Sequence, residues 1–151
     1  MDITIRKAIK EDADSILKIQ KKAFLFQANK YSDYDMPPMV EKKEDVLNEM
    51  ITSLIFVAIY NDKIIGSIRI RKQEDEAEIR RLAVLDEYQG NGVGNMLMNV
   101  AEMQYLHLKR YWLLTGKESY RSISLYKKLG YEIYKEAVHR DYILVYLQKL
   151  L

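Results

Sequence analysis

The sequence predicts an α/β fold of the α+β type, with a mixed, mostly antiparallel central sheet of about seven strands flanked by about four helices. Some short segments alternate apolar and polar residues, as half-buried strands do, and others repeat apolar residues at helical spacing. Three glycines, Gly90, Gly92 and Gly94, separate a predicted strand from a predicted helix. The 151 residues are enough for one hydrophobic core but few for two, so we expect a single domain over residues 1–151.

The first half of the chain is predicted to hold one strand, two helices and an antiparallel meander. Residues 2–8 alternate with period two, and apolar residues at helical spacing then run to about Asn29. Both prolines lie within residues 31–40, which predicts a loop, and residues 41–52 are predicted as a second helix. Three consecutive strands joined by short turns follow over residues 54–60, 63–71 and 78–84.

The second half of the chain is predicted to contain one parallel strand pair. Apolar residues repeat at helical spacing after the glycines, and residues 111–114 form the next predicted strand. A strand, a glycine turn, a helix and a strand in this order imply a parallel crossover. A further helix over residues 119–129 ends at Gly130, a residue type favoured at helix C-termini, and two strands follow over residues 131–134 and 142–147.

Composition excludes several classes of function. The formal net charge is only +2 and basic residues come in short pairs, so we expect no nucleic-acid partner. No segment approaches the roughly 20 apolar residues of a membrane span, which predicts a cytoplasmic protein with no membrane association. The chain has no Cys and only two His, His107 and His139, so we expect neither a disulfide nor a metal site. Both His are expected at the surface or in a capping role.

The glycine-rich segment indicates an anion site. A glycine turn before a helix brings backbone N–H groups and the positive end of the helix dipole to one place, which suits a phosphate or pyrophosphate. No acidic residue lies between Gly90 and Ala101 to occupy that place. The P-loop pattern fails here, and the dinucleotide pattern GxGxxG meets Asn95 or Leu97 where its third glycine should lie. The pattern Q/R-x-x-G-x-G/A matches at every fixed position of residues 89–94.

At this motif the chain resembles the GNAT N-acetyltransferase superfamily, in which the segment binds the pyrophosphate of acetyl-coenzyme A. The order of predicted elements follows that family over nearly the whole chain. A second segment, SYRSISLYKKLGYE at residues 119–132, looks like the family segment N-x-x-A-x-x-L-Y-x-x-x-G-F. The family pattern is matched, or met by a conservative replacement, at Leu125, Tyr126, Gly130 and Tyr131. Ser119 and Ser122 depart from it, standing where the family often has Asn and Ala.

The resemblance implies acetyl-coenzyme A as cofactor and transfer of its acetyl group to a primary amine by direct attack, without a covalent enzyme intermediate. The end of the strand before the glycines is expected to offer backbone N–H groups to the acetyl carbonyl and the pantetheine arm. The cofactor-binding residues implied in this way are Leu82, Ala83, Val84, Gln89, Gly90, Asn91, Gly92, Val93, Gly94, Asn95, Ser119, Ser122 and Tyr126.

Two residues are predicted to carry the proton transfers. Tyr126 matches the family position from which a phenol protonates the departing thiolate, and an ordinary phenol pKa of about 10 keeps it protonated at neutral pH. Glu78 lies where the family often has a carboxylate base, and Glu76 is the second candidate. Strict alternation puts Glu78 on one face with Arg80, Leu82 and Val84. The amine can also arrive already deprotonated, in which case no dedicated base is needed.

The resemblance implies an amine of a small molecule or peptide as the acceptor, with the loop of residues 31–40 covering its site. Tyr31, Asp33, Tyr34 and Asp35 offer negative charge and aromatic rings to a cation. The Arg80-Arg81 pair either reaches phosphates or acidic groups of a substrate or forms ion pairs with Glu76 or Glu78. Two other functions stay open at this point, a non-catalytic acyl-coenzyme A binding module and a nucleotide-binding domain. The resemblance also allows for a homodimer.

Overall fold

The computed structural model describes all 151 residues and contains one seven-stranded sheet with helices on both faces. Its strands are β1 (Thr4–Lys7), β2 (Leu54–Tyr60), β3 (Lys63–Gln73), β4 (Glu76–Val84), β5 (Arg110–Gly116), β6 (Glu132–His139) and β7 (Tyr142–Leu150). Its α-helices are α1 (Ala13–Tyr31), α2 (Pro37–Val40), α3 (Lys43–Thr52), α4 (Val93–Glu102) and α5 (Tyr120–Lys128). No helix combines the length and apolar character that crossing a membrane requires.

The sheet topology confirms the predicted mixed architecture. The spatial order is β1-β2-β3-β4-β5-β7-β6, and only the central pair of β4 and β5 is parallel. That parallel ladder is short, because it joins Glu76–Glu78 to Arg110–Trp112 and then ends. Beyond Glu78 the two strands part, and the edge of β4 that faces β5 is left without strand partners.

Two hydrophobic clusters hold the helices on the two faces of the sheet. The larger cluster packs α4 and α5 against the sheet through fully buried side chains such as Leu97 and Met98. The smaller cluster packs α1 and α3 on the opposite face through Ile16 and Val46. The gap between β4 and β5 therefore lies between two separately packed layers.

The segment predicted as a loop over residues 31–40 contains the short helix α2, so the chain has five helices where about four were predicted. Two prolines begin this helix, at positions where their missing N–H groups cost no hydrogen bond and their fixed φ suits helical backbone. The prediction of an irregular loop is therefore wrong for Pro37–Val40, and α1 also runs to Tyr31 rather than Asn29. Both differences place more ordered structure beside the end of the β4–β5 gap.

A β-bulge in β4 overturns the strict alternation expected for this strand. Ser67 pairs with Ala83 and Arg69 with Arg80, so Arg81 and Leu82 together face the single residue between Ser67 and Arg69. Arg81 has a φ of 55°, a left-handed conformation that is uncommon for a non-glycine residue. The extra residue moves Leu82 and Val84 onto the α4 face, where they pack with the larger cluster. Glu78 and Arg80 stay on the α1 face.

Candidate active site

The three glycines of the loop have two different roles. Two of them shape the backbone, and the third lets the loop lie close to α5 because it has no side chain. Gly90 and Gly92 have φ values of 83° and 78°, and no atom lies within 4 Å of where a Cβ would be. These two glycines therefore supply a left-handed backbone rather than room. A Cβ on Gly94 would lie 3.2 Å from Leu125 Cδ2, so this glycine lets α4 approach α5.

The loop presents unpaired hydrogen-bonding groups at the N-terminus of α4. Gly92 is the N-cap residue and no side chain caps the helix, so the first N–H groups have no intrahelical partner. The Gln89 side chain donates from Nε2 to the Val84 carbonyl at 3.3 Å and to Asp86 at 3.2 Å, while its buried Oε1 has no partner. The first turn carries no acidic residue. The free N–H groups fit an anionic group of a ligand, and the Gln89 Oε1 fits a hydrogen-bond donor of the same ligand.

A cavity of about 510 Å³ lies between the glycine loop, β4 and α5, and we call it the glycine-loop cavity. Ten of the thirteen predicted cofactor-binding residues line it: Leu82, Val84, Gln89, Gly90, Gly92, Val93, Gly94, Asn95, Ser122 and Tyr126. Two basic residues of α5, Arg121 and Lys128, also line it and were missed by the sequence analysis. No motif marks them, because exposed basic residues on a helix have no distinctive spacing.

Three residues predicted to bind the cofactor lie outside this cavity. Ala83 is buried on the other face because of the bulge. Asn91 donates its side-chain amide back to the Tyr88 and Gln89 carbonyls at 3.1 and 3.4 Å, which holds the loop rather than a ligand. Ser119 is buried against α1, with its hydroxyl 2.8 Å from that of Tyr31. The side chains of these three residues therefore face other parts of the protein, and their contacts with the cofactor, which for Ala83 were expected through the backbone, stay predictions.

Two further cavities continue the first one through the gap between β4 and β5. The connecting cavity, of about 50 Å³, shares Leu82, Ser122 and Tyr126 with the glycine-loop cavity. The distal cavity, of about 340 Å³, shares Arg80, Arg81 and Thr115 with the connecting cavity, among other residues. The three cavities share wall residues in this order along the gap, from the α4 face to the α1 face, and we refer to them together as the cleft. The bulge at Arg81 makes this crossing possible, because it turns Leu82 and Glu78 toward opposite ends of the cleft.

Tyr126 lies where the glycine-loop cavity meets the connecting cavity. Its ring is buried beside Tyr131, with ring centres 6.1 Å apart, and its hydroxyl forms no hydrogen bond within the protein. Burial raises the pKa of Tyr126 to about 12. The phenol is therefore protonated at neutral pH and available to donate to a group in the cleft.

Glu78 lines the distal cavity and is separated from the glycine loop by the connecting cavity. Burial raises the pKa of Glu78, against the opposing effect of the Arg80 and Arg71 charges. No cation lies within 4 Å of its carboxylate, whereas Glu76 is bound to Arg110 at 3.1 Å and lies outside the distal cavity. A carboxylate with a raised pKa and no ion pair is suited to accept a proton. The structure thus distinguishes Glu78 from its alternative.

The four residues predicted to hold the acceptor lie in three different environments. Tyr31 lines the distal cavity and stacks on Tyr142, with ring centres 4.5 Å apart. Asp33 is 1% exposed and is already bound by the Tyr142 hydroxyl at 2.7 Å and by Arg140 at 3.1 Å. The hydrogen bond from Tyr142 keeps the pKa of Asp33 below its ordinary value despite burial. Its charge is therefore neutralised inside the protein.

Tyr34 and Asp35 lie outside the cleft. Tyr34 is exposed and donates its hydroxyl to Asn29 at 2.7 Å, and Asp35 is an exposed partner of Arg140 at 3.8 Å. Both His are exposed, as expected: His139 also lines the distal cavity, and His107 lies in a bend before β5. Of the predicted acceptor residues only Tyr31 reaches the cleft, and His139 joins it.

A buried ion pair fixes α2 over the distal cavity. Arg69 is 1% exposed and donates to both carboxylate oxygens of Glu41, at 2.9 and 2.6 Å. Gln20 accepts from Arg69 at 3.1 Å and donates to Glu41 at 3.0 Å and to the Pro38 carbonyl at 3.1 Å. The network therefore connects the sheet, α1 and the segment containing α2. We call it the Arg69 network.

We expect the Arg69 network to stabilise the protein in a pH-dependent way. Burial by itself would raise the pKa of Glu41, but hydrogen bonds from Arg69 and Gln20 outweigh it and lower the pKa to about 2. A carboxyl whose pKa is lower when folded stabilises fully above its unfolded pKa of about 4.3 and loses that contribution as the pH falls. The difference in urea-unfolding free energy between wild type and Glu41→Gln should therefore shrink from pH 6 toward pH 3. A constant difference would contradict this account.

The structure thus has an uncapped helix N-terminus at the glycine loop, a phenol without a hydrogen bond beside it and a carboxylate without an ion pair in the distal cavity. These features belong to an α/β protein with cavities along the gap between β4 and β5. A family model for the acetyltransferase (GNAT) family matches residues 13–131. The chain belongs to the GNAT family, which confirms the family predicted from the two sequence motifs.

Similar proteins agree with this membership. The chain is 26% identical over 145 residues to a spermidine N(1)-acetyltransferase of Thermoplasma acidophilum. This alignment covers 88% of this chain and 90% of that protein. The PaiA N-acetyltransferase of Thermoplasma acidophilum, solved in complex with coenzyme A, has a TM-score of 0.83 at 22% identity and covers 100% of both chains. A GNAT acetyltransferase of Streptococcus pneumoniae has a TM-score of 0.76 at 20% identity, and the match covers 99% of this chain and 100% of that chain. The fold is therefore shared across nearly the full length.

Proposed function

We propose that the protein transfers the acetyl group of acetyl-coenzyme A to a primary amine of a small molecule or peptide by direct attack. One observation carries this proposal: the glycine-loop, connecting and distal cavities follow one another along the gap through shared wall residues, with Tyr126 lining the first two and Glu78 the last. A donor bound at one end and an acceptor bound at the other would meet in the gap between β4 and β5. No side chain is needed to carry the acetyl group.

The glycine loop fits the donor. The uncapped N-terminus of α4 offers N–H groups to a pyrophosphate, and Arg121 and Lys128 add positive charge along the same cavity. The unpartnered Gln89 Oε1 is available to accept a hydrogen bond from a ligand. When bound, acetyl-coenzyme A supplies an activated thioester. The edge of β4 beyond Glu78 has no strand partner, so its backbone N–H groups are available to the acetyl carbonyl oxygen and the pantetheine arm.

Tyr126 and Glu78 are proposed as acid and base. The Tyr126 hydroxyl donates a proton to the leaving thiolate sulfur, a role open to a phenol that is protonated at neutral pH and has no hydrogen-bond partner within the protein. Glu78 accepts the proton of the attacking amine, directly or through water. The spermidine N(1)-acetyltransferase named among the relatives supports an amine as the acceptor class.

The direct test is release of coenzyme A thiol from acetyl-coenzyme A in the presence of a panel of amines. The panel contains polyamines, amino acids, aminoglycosides and peptide N-termini, and we expect amine-dependent release with at least one of them. If coenzyme A raises the melting temperature but no amine is acetylated, the protein is a binding module and the proposal is wrong. If NAD or ATP stabilises the protein and coenzyme A does not, it is a nucleotide-binding domain.

We expect Glu78→Gln to lower kcat/KM for the best amine by about 10²-fold, because removal of a general base typically costs at least that much. Because the pKa of Glu78 is raised, the pH–rate profile of the wild type should have an acidic limb, in which protonation of Glu78 lowers the rate at a higher pH than an ordinary carboxyl would. That limb should be absent in Glu78→Gln. Rates are measured as thiol release across pH. Glu76→Gln is the matched control, since Glu76 lies two residues before Glu78 on the same strand but outside the distal cavity. Equal rates in the two variants would exclude Glu78 as the base.

A further inference from the structure

Arg81 is a mostly buried cation with unused hydrogen-bond donors in the wall of the cleft. Its side chain is 16% exposed and lines both the connecting cavity and the distal cavity. Its guanidinium forms no hydrogen bond within the protein, and its buried Nε has no partner at all. The nearest carboxylate is that of Glu41, whose Oε2 lies 3.6 Å from Arg81 Nη2. That distance is too long for a hydrogen bond.

The neighbouring arginines have partners that Arg81 lacks. Arg69 takes both oxygens of Glu41, and Arg80 binds Glu49. The Glu41 oxygen nearest to Arg81, Oε2, already accepts a hydrogen bond from Arg69. Three guanidinium groups and three carboxylates, those of Glu41, Glu49 and Glu78, lie together here, and Arg81 is the only one of the three arginines without a hydrogen bond. Burial, together with the Arg69 charge, lowers the pKa of Arg81.

A buried guanidinium with unused donors is suited to an oxyanion. Its planar fork matches the geometry of a carboxylate or a phosphate and can form two parallel hydrogen bonds. The bulge places this fork on the path between the glycine loop and Glu78, not at the protein surface. A polyamine has no acceptor for the unused donors of Arg81, whereas a carboxylate or a phosphate would accept hydrogen bonds from them.

We propose that the preferred acceptor carries an oxyanion, a carboxylate or a phosphate, in addition to its amine, and that Arg81 binds this oxyanion while Glu78 faces the amine. Both residues line the distal cavity, so one small molecule can reach both. This inference rests on the proposed acetyl transfer and adds the substrate class. It makes Arg81 a specificity-determining residue.

Pairs of amines that differ only by the oxyanion test the proposal. Ornithine is compared with putrescine, lysine with cadaverine, and O-phosphoethanolamine with ethanolamine, each by thiol release from acetyl-coenzyme A. Hydrogen bonds to charged groups predict about a 10- to 100-fold higher kcat/KM for the oxyanion-bearing member of at least one pair. The amino-acid pairs and the phosphate pair distinguish the two oxyanions. Equal rates in all three pairs, or preference for the members without an oxyanion, would overturn the inference and leave the acetyltransferase proposal intact.

The Arg81→Gln variant should bring the ratio of kcat/KM within the preferred pair close to one, mainly by raising KM for the oxyanion-bearing amine. Arg81→Lys keeps the charge without the fork and should give an intermediate ratio. Arg6→Gln is the matched control, because Arg6 binds Asp12 outside the three cavities and its loss should leave the ratio unchanged. An unchanged ratio in Arg81→Gln, with coenzyme A still raising the melting temperature, would contradict the role of Arg81.

A binding measurement judges the Arg81 site without turnover. Hexanoate has the carbon chain and carboxylate of lysine without its amines. Isothermal titration calorimetry measures the binding of hexanoate directly. We expect a saturable response to hexanoate in wild type and at least tenfold weaker binding in Arg81→Gln. Equal affinities would overturn the inference, and this holds even if no amine is acetylated and the proposed function fails.

Discussion

The Tyr126→Phe variant is expected to lower kcat by about 10²-fold while leaving its folding and its affinity for coenzyme A nearly unchanged. The phenol lies at the junction of the glycine-loop and connecting cavities and is protonated at neutral pH. Loss of a general acid typically costs at least 10²-fold in rate. The hydroxyl forms no hydrogen bond within the protein, so its removal leaves no buried polar partner unsatisfied.

Three measurements separate this effect from a structural one. Thiol-release kinetics give kcat, thermal unfolding gives the melting temperature, and titration with coenzyme A gives the affinity. Tyr120→Phe is the matched control, since Tyr120 lies on the same helix but is 67% exposed and outside the cleft. A Tyr126→Phe rate within twofold of the control would show that another group protonates the thiolate.

The Arg69→Met variant is expected to lower the free energy of unfolding by about 3–5 kcal/mol, the usual cost of removing one partner from a buried ion pair. Arg69 and Glu41 are both buried, and each oxygen of the carboxylate accepts from the guanidinium. Without Arg69, the Glu41 charge would keep only Gln20 as a hydrogen-bond donor. Because Gln20 also donates to Pro38, the loss should loosen the segment that covers the distal cavity.

Urea unfolding at neutral pH measures this loss, and Lys43→Met supplies the control. Lys43 and Asp14 form an ion pair at 3.1 Å between exposed side chains, and such pairs contribute less than about 1 kcal/mol. If Arg69→Met destabilises the protein no more than Lys43→Met, the Arg69 network is not a stabilising feature. The account of how α2 is held would then be wrong.

The fold and the donor end of the cleft could be predicted because their signals are local. Gly90 and Gly92 mark left-handed backbone, and the apolar period marks α4, so the anion site follows from a few consecutive residues. The parallel pair follows from the order of strand, turn and helix. Tyr126 was predicted because its segment has a recognisable pattern, and the structure places it at the junction of two cavities.

The acceptor end could not be predicted in the same detail because it depends on pairing between distant segments. The bulge arises from the register of β4 against β3, and Arg81 itself gives no sign of a left-handed conformation. Asp33 looked available for a ligand, but Tyr142 and Arg140, more than one hundred residues away, neutralise it. The position of His139 in the distal cavity likewise depends on the pairing of β6 with β7.

The central claim is that donor and acceptor occupy the two ends of one cleft at the same time and react directly. Initial rates of thiol release, measured while the concentrations of acetyl-coenzyme A and the best amine are both varied, test it most directly. Direct attack requires a complex with both ligands bound, and we expect intersecting lines in double-reciprocal plots. Parallel lines, together with release of coenzyme A before the amine is added, would indicate a covalent acetyl-enzyme and contradict the account.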